Sequence, residues 1–167
     1  MSKEKIEANI NEVLKDSTQE NALDFIAYLG TDDMEYVHSD FCWDVKYKGE
    51  SVCFIMIGGF EDKHLSHWVI WSDQVPGTWT SWADGDKNDE YVDFPVDEHI
   101  KEIAWANVNK CGQCGGKCSP GRRKTVLGKA FDNLCQSAMV FTNPDTEALD
   151  CAKKMIDARK GDISKLK

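Results

Sequence analysis

The chain has 167 residues, of which 41% are hydrophobic and 29% are charged. A chain of this length buries enough surface for a hydrophobic core without disulfide staples, and this composition excludes long disordered tracts. The formal net charge of −9 excludes a DNA-binding surface spread over the whole molecule, because phosphate would repel it. The net charge therefore disfavours nucleic acid as a partner, except through a local basic patch.

The N-terminal stretch MSKEKIEANINEVLKD alternates charges with single apolar residues and lacks the apolar run of a signal peptide. No segment approaches the roughly 20 apolar residues of a membrane span. These features predict a soluble, cytoplasmic protein with no membrane partner. Because the cytoplasm is reducing, the odd count of seven cysteines indicates metal or thiol chemistry before a disulfide framework.

Two helices are predicted at the N-terminus, over residues 4–15 and 19–29, where apolar residues recur at helical spacing. Gly30 follows the second helix and is predicted to end it. From Phe41 the apolar period changes to two, which predicts a strand as far as Tyr47.

Two further strands are predicted at residues 51–57 and 67–72, and the Lys48-Gly49 turn joins the first of them to the preceding strand as a hairpin. An acidic loop is predicted over residues 73–94. Consecutive strands joined by short turns favour an antiparallel sheet.

The C-terminal half predicts a helix over 96–108 and short strands at 125–127 and 138–142. A final helix follows, with Asn143 as its predicted N-cap and Pro144 at its first position.

Together these elements predict an α+β fold, in which N-terminal, middle and C-terminal helices pack on a mainly antiparallel sheet. We expect a single domain over residues 1–167, with a small zinc knuckle at about 109–136.

The segment CGQCGGKCSPGRRK, residues 111–124, is the most informative motif in the chain. Cys111 and Cys114 have the two-residue spacing by which one tight turn supplies two zinc ligands, and Cys118 adds a third. Cys135 follows a turn at residues 127–129 that can bring it back to the others. The sequence therefore predicts a closed Zn²⁺ site formed by Cys111, Cys114, Cys118 and Cys135.

Other interpretations of the cysteines stay open. The cluster could bind an iron–sulfur centre, although its spacing matches neither ferredoxin pattern, or Cys111 and Cys114 could form a redox dithiol or stay unliganded. Cys151 competes with Cys135 for the fourth position, but its helical surroundings favour a buried, hydrophobic role. Cys42 and Cys53 are predicted to be buried strand thiols.

Basic residues concentrate around the cluster, since residues 103–131 contain six bases and no acid. Zinc held by four thiolates carries a formal charge of −2, and nearby cations would stabilise it. Alternatively, Arg122, Arg123 and Lys124 bind a phosphate, a nucleic-acid strand or an acidic partner.

Four of the six tryptophans, Trp68, Trp71, Trp79 and Trp82, fall within fifteen positions. Aromatic residues at this density line a ligand pocket or form a sheet core, and both interpretations stay open.

No recognisable catalytic motif occurs: the chain lacks a nucleophile elbow, a metalloprotease helix, a phosphate-binding loop and a dinucleotide fingerprint. Four cysteines around one zinc also leave no coordination position for an activated water. The sequence therefore favours a non-enzymatic regulatory domain that binds an unidentified small ligand or protein partner, over a redox protein.

The successive motifs D-F-I-A-Y-L, W-x-V-K-Y-K-G-E, C-x2-C-x3-C-x-P-G and N-P-D-x-E-A-L-x-C together resemble a group of short, uncharacterised bacterial cytosolic proteins. The resemblance covers the chain from about residue 21. It implies a bacterial, cytoplasmic origin and a cysteine cluster that belongs to the fold. It implies no activity.

Overall fold

The computed structural model describes residues 3–30, 33–59, 61–72, 96–112 and 121–165. Within them the helices are α1 (Lys3–Val13), α2 (Asp16–Leu29), α3 (Glu98–Ala106) and α4 (Thr146–Lys165). The strands are β1 (Met34–His38), β2 (Trp43–Tyr47), β3 (Glu50–Ile57), β4 (Trp68–Ser72), β5 (Val108–Lys110), β6 (Arg122–Val126) and β7 (Lys129–Thr142).

The seven described strands form a mainly antiparallel sheet in the order β1-β2-β3-β4-β7-β5, and β6 pairs with β7. Together with the described helices, this sheet confirms the predicted α+β fold. None of the described helices combines the length and the apolar character that a membrane crossing requires.

The chain divides into two compact units. The first unit contains Met1–Trp71 and Phe141–Lys167, and the second contains Ser72–Val140. The boundaries therefore fall within β4 and β7. The prediction of one domain over the whole chain stays a prediction.

In the first unit, α1 contacts α2, β1 and β3, and α4 contacts α2 and β3. The contacts bury the apolar stripes of the helices on the sheet, and this burial is the main stabilising contribution. The largest fully buried side chains of this core include those of Trp68, Tyr36, Phe25, Phe141, Ile6, Ile10, Leu14, Ile26, Ile55 and Ile70.

The predicted hairpin of β2 and β3 is confirmed. Tyr47 pairs with Glu50 across a two-residue turn, in which Lys48 and Gly49 have φ angles of 51° and 83°. Two successive positive φ angles are typical of the turn whose twist matches that of the strands. Gly30 ends α2 as predicted, with a φ of 75° and its N–H donating to the carbonyl of Ile26. The helix begins at Asp16, earlier than predicted.

The predicted start of the last helix is wrong. Asn143 has a φ of 42°, and its side-chain Oδ1 accepts a 2.9 Å hydrogen bond from the backbone N–H of Trp68. The N–H of Asn143 donates in return to the carbonyl of Trp68 at 2.9 Å. Asn143 is therefore part of the β4–β7 pairing, and Asp145 caps α4 instead by accepting from the N–H of Ala148 at 2.9 Å.

In the second unit, β6 and β7 form a second two-residue hairpin. Val126 pairs with Lys129 across Leu127 and Gly128, whose φ angles are 47° and 85°. Strand β7 lies between β5 and β6, since Leu134 pairs with both Lys110 and Arg122. The strand is much longer than the predicted segment 138–142.

Helix α3 begins at an N-cap that the sequence analysis did not identify, where Oδ1 of Asp97 accepts from the N–H of Ile100 at 2.8 Å. Its Trp105 donates an indole N–H to the carbonyl of Val126 at 2.7 Å and so ties the helix to β6. The helix ends at Ala106, and the residues that follow form β5, which was not predicted.

Candidate metal centre

Cys111 follows β5 directly, and Asn133 of β7 forms hydrogen bonds with both its backbone N–H and its backbone carbonyl. The N–H of Cys111 donates to the carbonyl of Asn133 at 2.7 Å. In return, the side-chain amide of Asn133 donates to the carbonyl of Cys111 at 3.0 Å. Asn133 has a φ of 59°, a conformation that asparagine tolerates better than most residues. These paired hydrogen bonds fix the position of the first predicted ligand.

Gly121 lies against Cys111. A Cβ at Gly121 would lie 2.5 Å from the Cβ of Cys111 and 2.8 Å from the carbonyl oxygen of Asn133, distances shorter than van der Waals contact. Only glycine permits this approach of two backbones. Residues 111 and 121, which flank the segment containing Cys114 and Cys118, are therefore in direct contact.

Cys135 lies on β7, two residues after Asn133. Cys111 directly follows β5 and is hydrogen-bonded to Asn133, so it lies beside the part of β7 that carries Cys135. Both thiols are partly exposed. The fold thus brings the first and fourth predicted ligands to adjacent strands.

Cys114 and Cys118, the other two predicted ligands, lie outside the described residues. Among the residues that are described, no group of three or more His, Cys, Asp or Glu side chains is placed to hold a metal ion. The described part of the site therefore consists of two cysteines and the residues that position them.

The remaining cysteines, Cys42, Cys53 and Cys151, are buried. Burial raises the pKa of the Cys151 thiol to about 12 and also raises the pKa of Cys42. Since a thiolate is the form that binds metal, such burial disfavours metal binding by both residues. Cys151 has the buried, hydrophobic environment expected from its helical surroundings.

The three predicted anion-binding residues lie on β6. Arg122 and Arg123 are exposed, and Lys124 is half-buried. The Nε of Arg123 lies 3.7 Å from Oδ1 of Asp132, and both side chains are more than three-quarters exposed, so this ion pair contributes little to stability.

Aromatic rings accompany these bases in the second unit. The ammonium of Lys129 lies 5.0 Å from the ring centroid of Trp105 and 5.5 Å from that of Phe131, and Phe131 pairs with Lys124 across the hairpin. The hairpin therefore combines cations with aromatic rings, the composition that single-stranded nucleic acids and other polyanions favour.

Two of the four clustered tryptophans are described. Trp68 is fully buried and packs on Phe25 with ring centroids 6.0 Å apart, whereas Trp71 is half-buried. Trp79 and Trp82 lie outside the described residues, as do residues 73–94 of the predicted acidic loop. Trp68 is therefore a core residue, and a pocket formed by all four tryptophans stays a prediction.

The positioning roles of Asn133 and Gly121 were not predicted from the sequence. A local signal existed for each, since asparagine favours a positive φ and a glycine follows Pro120 at the end of the motif. Their contacts with Cys111 depend on strand pairing, which local sequence does not reveal.

A scan against protein-family models finds no match, and searches of curated proteins and of solved structures find none either.

Proposed function

We propose that this chain is a cytoplasmic, bacterial, soluble zinc-binding protein whose Cys111, Cys114, Cys118 and Cys135 hold one structural Zn²⁺. Its role is non-enzymatic: it is a regulatory domain that binds a small ligand or a protein partner. The observation that carries the metal proposal is the contact between Cys111 and Gly121 beside the strand that bears Cys135.

Chain length supports this ligand set. Cys114 is three residues from Cys111, and Cys118 is three residues from Gly121. Three residues span at most about 10 Å. Because Cys111 and Gly121 are in contact, Cys114 and Cys118 are both close enough in the chain to bind one ion together with Cys111. A tetrahedral zinc needs its four sulfurs at about 2.3 Å from the metal. These short chain distances therefore permit a closed site of four thiolates.

The charges of the described residues support thiolates at this position. Lys110 and Arg122 both pair with Leu134, which is adjacent to Cys135 in the chain. Cations close to cysteine favour the deprotonated thiol, and they offset the formal charge of −2 on a zinc bound by four thiolates. A complete set of four sulfur ligands leaves no position for substrate or water, which supports a structural role for the metal.

Metal analysis tests the proposal. Protein purified without oxygen is expected to be colourless and to contain about one equivalent of zinc. The Cys135→Ser variant is expected to lose the metal, because it removes one of the four ligands. The matched control is Cys151→Ser, which alters a buried thiol in α4 and is expected to keep the zinc.

Three outcomes would contradict this proposal. Brown protein containing iron would favour the iron–sulfur alternative. Metal-free protein with a reversible disulfide between Cys111 and Cys114 would favour the dithiol alternative. Equal loss of zinc from the two serine variants would contradict the assignment of Cys135 as the fourth ligand.

The basic strand β6 supports a second candidate function, the binding of single-stranded nucleic acid. Its Arg122, Arg123 and Lys124 lie in a chain of net charge −9, and Phe131 offers a ring beside them. Local bases on an acidic protein indicate that the attraction is confined to this strand.

Fluorescence anisotropy with a labelled single-stranded oligonucleotide tests this second candidate. Affinity is expected to fall with salt and to drop about tenfold in the double variant Arg122→Ala/Lys124→Ala, because each lost phosphate contact removes counterion release. The matched control is Lys15→Ala/Lys154→Ala, which removes the same charge from two exposed lysines of the first unit. Equal loss in both double variants would show nonspecific attraction only.

A further inference from the structure

A cleft of about 280 Å³ is lined by residues of the first unit. It is formed by α1, by the connection between β1 and β2, by the end of β3 and by the connection between β3 and β4. Its apolar lining includes Val13, Phe41, Met56 and Ile57. The cleft is slightly smaller than the roughly 300 Å³ at which pockets begin to accept drug-sized molecules, so it suits a smaller ligand.

The connection between β3 and β4 is folded tightly where it forms one wall of the cleft. Gly58 has a φ of 86°, and a Cβ there would overlap the carbonyl of Lys63, so glycine is required for the loop to close. The carbonyl of Asp62 accepts from the N–H of Gly59 at 2.8 Å, and its carboxylate accepts from the N–H of His64 at 2.9 Å. The backbone that carries Lys63 and His64 is therefore held in place.

Other polar groups of the cleft come from separate elements. Asn9 and Glu12 lie one turn apart on α1, and Oδ1 of Asn9 accepts a 3.2 Å hydrogen bond from the indole of Trp43. The imidazole of His38 packs on the same indole, with ring centroids 4.6 Å apart. Asp40 supplies a second carboxylate. The cleft thus combines two carboxylates, one ammonium and two imidazoles with an apolar surface.

An exposed aromatic side chain also lies at this cleft. Among the described residues, the exposed large hydrophobic side chains are those of Val37, Phe41 and Leu65. Phe41 lines the cleft and is 58% exposed, whereas Val37 and Leu65 are not among the lining residues. An aromatic ring that remains in water beside a polar cleft offers a contact surface for the apolar part of a ligand.

The charges of the lining disfavour several ligand classes. A purely anionic ligand would meet the carboxylates of Glu12 and Asp40, and a polycation would meet the ammonium of Lys63. A metal ion finds no suitable group of three ligands among the described residues. A small molecule with one positive and one negative group can pair with both the carboxylates and the ammonium of the lining.

We propose that this cleft binds a free α-amino acid with an apolar or aromatic side chain. Its ammonium pairs with Glu12 and Asp40, its carboxylate pairs with Lys63 and a neighbouring imidazole, and its side chain packs on Phe41. This inference rests on the ligand-binding part of the proposed function and is independent of the metal.

Calorimetric titration of the full chain with L-phenylalanine tests the proposal. The analogues 3-phenylpropionate and 2-phenylethylamine each lack one charged group and are expected to bind about tenfold more weakly. Lys63→Met is expected to weaken binding of L-phenylalanine and leave that of 2-phenylethylamine unchanged. Glu12→Gln is expected to weaken binding of L-phenylalanine and leave that of 3-phenylpropionate unchanged.

Matched controls are Lys154→Met and Glu20→Gln, which change exposed residues that do not line the cleft, and both are expected to bind L-phenylalanine normally. No binding of L-phenylalanine or L-leucine at millimolar concentration would overturn the proposal, and so would equal affinity for phenylalanine and both analogues. Zinc content, measured on the same preparation, separates this outcome from failure of the metal proposal, because either result can occur without the other.

Discussion

Removal of the proposed zinc is expected to expose β5, β6 and the first half of β7 to solvent exchange while α2, β3 and α4 stay protected. Two of the strands in the second unit are short and contribute few hydrogen bonds to its stability, since β5 has three residues and β6 has five. A structural zinc contributes about 10 to 16 kcal/mol in small zinc-dependent modules, far more than so few strand hydrogen bonds. The first unit has its own core of fully buried side chains, so we expect it to stay folded without the metal.

Hydrogen–deuterium exchange with mass spectrometry, before and after chelation, measures this difference. We expect the amides of Cys111 and Arg122 to lose protection, because the contact between residues 111 and 121 no longer has a metal to stabilise it. Cys151→Ser, treated with the same chelator, is the control for thiol substitution and is expected to behave like the parent. Unchanged exchange in β5 and β6 after complete metal loss would show that the metal does not stabilise these strands.

The features predicted correctly from sequence are those determined by local conformational preference. The Lys48-Gly49 hairpin and the turn at residues 127–129 are both observed, each with two successive positive φ angles. Gly30 ends α2 for a similar reason, since glycine at a helix C-terminus adopts a positive φ without strain. Such features need no knowledge of the rest of the chain.

The missed features depend on distant partners. Strand β1 has only five residues, three of them exposed, and its apolar pattern is weak without the pairing to β2. Strand β7 contains Asp132 and Asn133, which disfavour strands, yet it pairs with β5 and β6 on either side. Asn143 has the composition of a helix cap, but its hydrogen bonds to Trp68, 75 positions away, determine its conformation instead.

The same distinction applies to the sites. The cysteine spacing is a local pattern, so the sequence alone suggests a metal site. The polar groups of the cleft lie on α1, on the end of β1 and the connection between β1 and β2, and on the connection between β3 and β4. Because these residues are scattered between positions 9 and 64, they form no recognisable sequence motif. Only the fold brings the carboxylates, the ammonium and the imidazoles of these segments together.

Among the described residues, Trp68 is the one at which a single substitution is expected to affect stability most. It is fully buried, and its ring packs on Phe25 at an interplanar angle of 57°. Replacing a buried tryptophan by alanine removes its contacts and leaves a cavity, which costs about 3 to 5 kcal/mol of unfolding free energy. Trp68→Ala is therefore expected to lose a large part of the stability of the first unit, measured by urea denaturation.

Trp68→Phe distinguishes packing from hydrogen bonding at the same position. The indole Nε1 of Trp68 is buried and makes no hydrogen bond to the residues that the structure describes. A buried N–H without an acceptor costs about 1 to 3 kcal/mol, and phenylalanine removes this cost while keeping most of the aromatic contact with Phe25. The smaller ring loses some packing, so the two effects oppose each other and the net change is expected to be small.

The comparison of the two variants decides what Trp68 does. A large loss of unfolding free energy in Trp68→Ala and a small loss in Trp68→Phe would establish Trp68 as an apolar core residue. Its Nε1 atom would then contribute nothing to stability. Equal, large losses of unfolding free energy would contradict this assignment, because they would show that phenylalanine does not replace the indole. A mild effect of alanine would contradict the core assignment and favour a tryptophan kept for ligand binding, because a side chain that stabilises the fold cannot be truncated without a cavity.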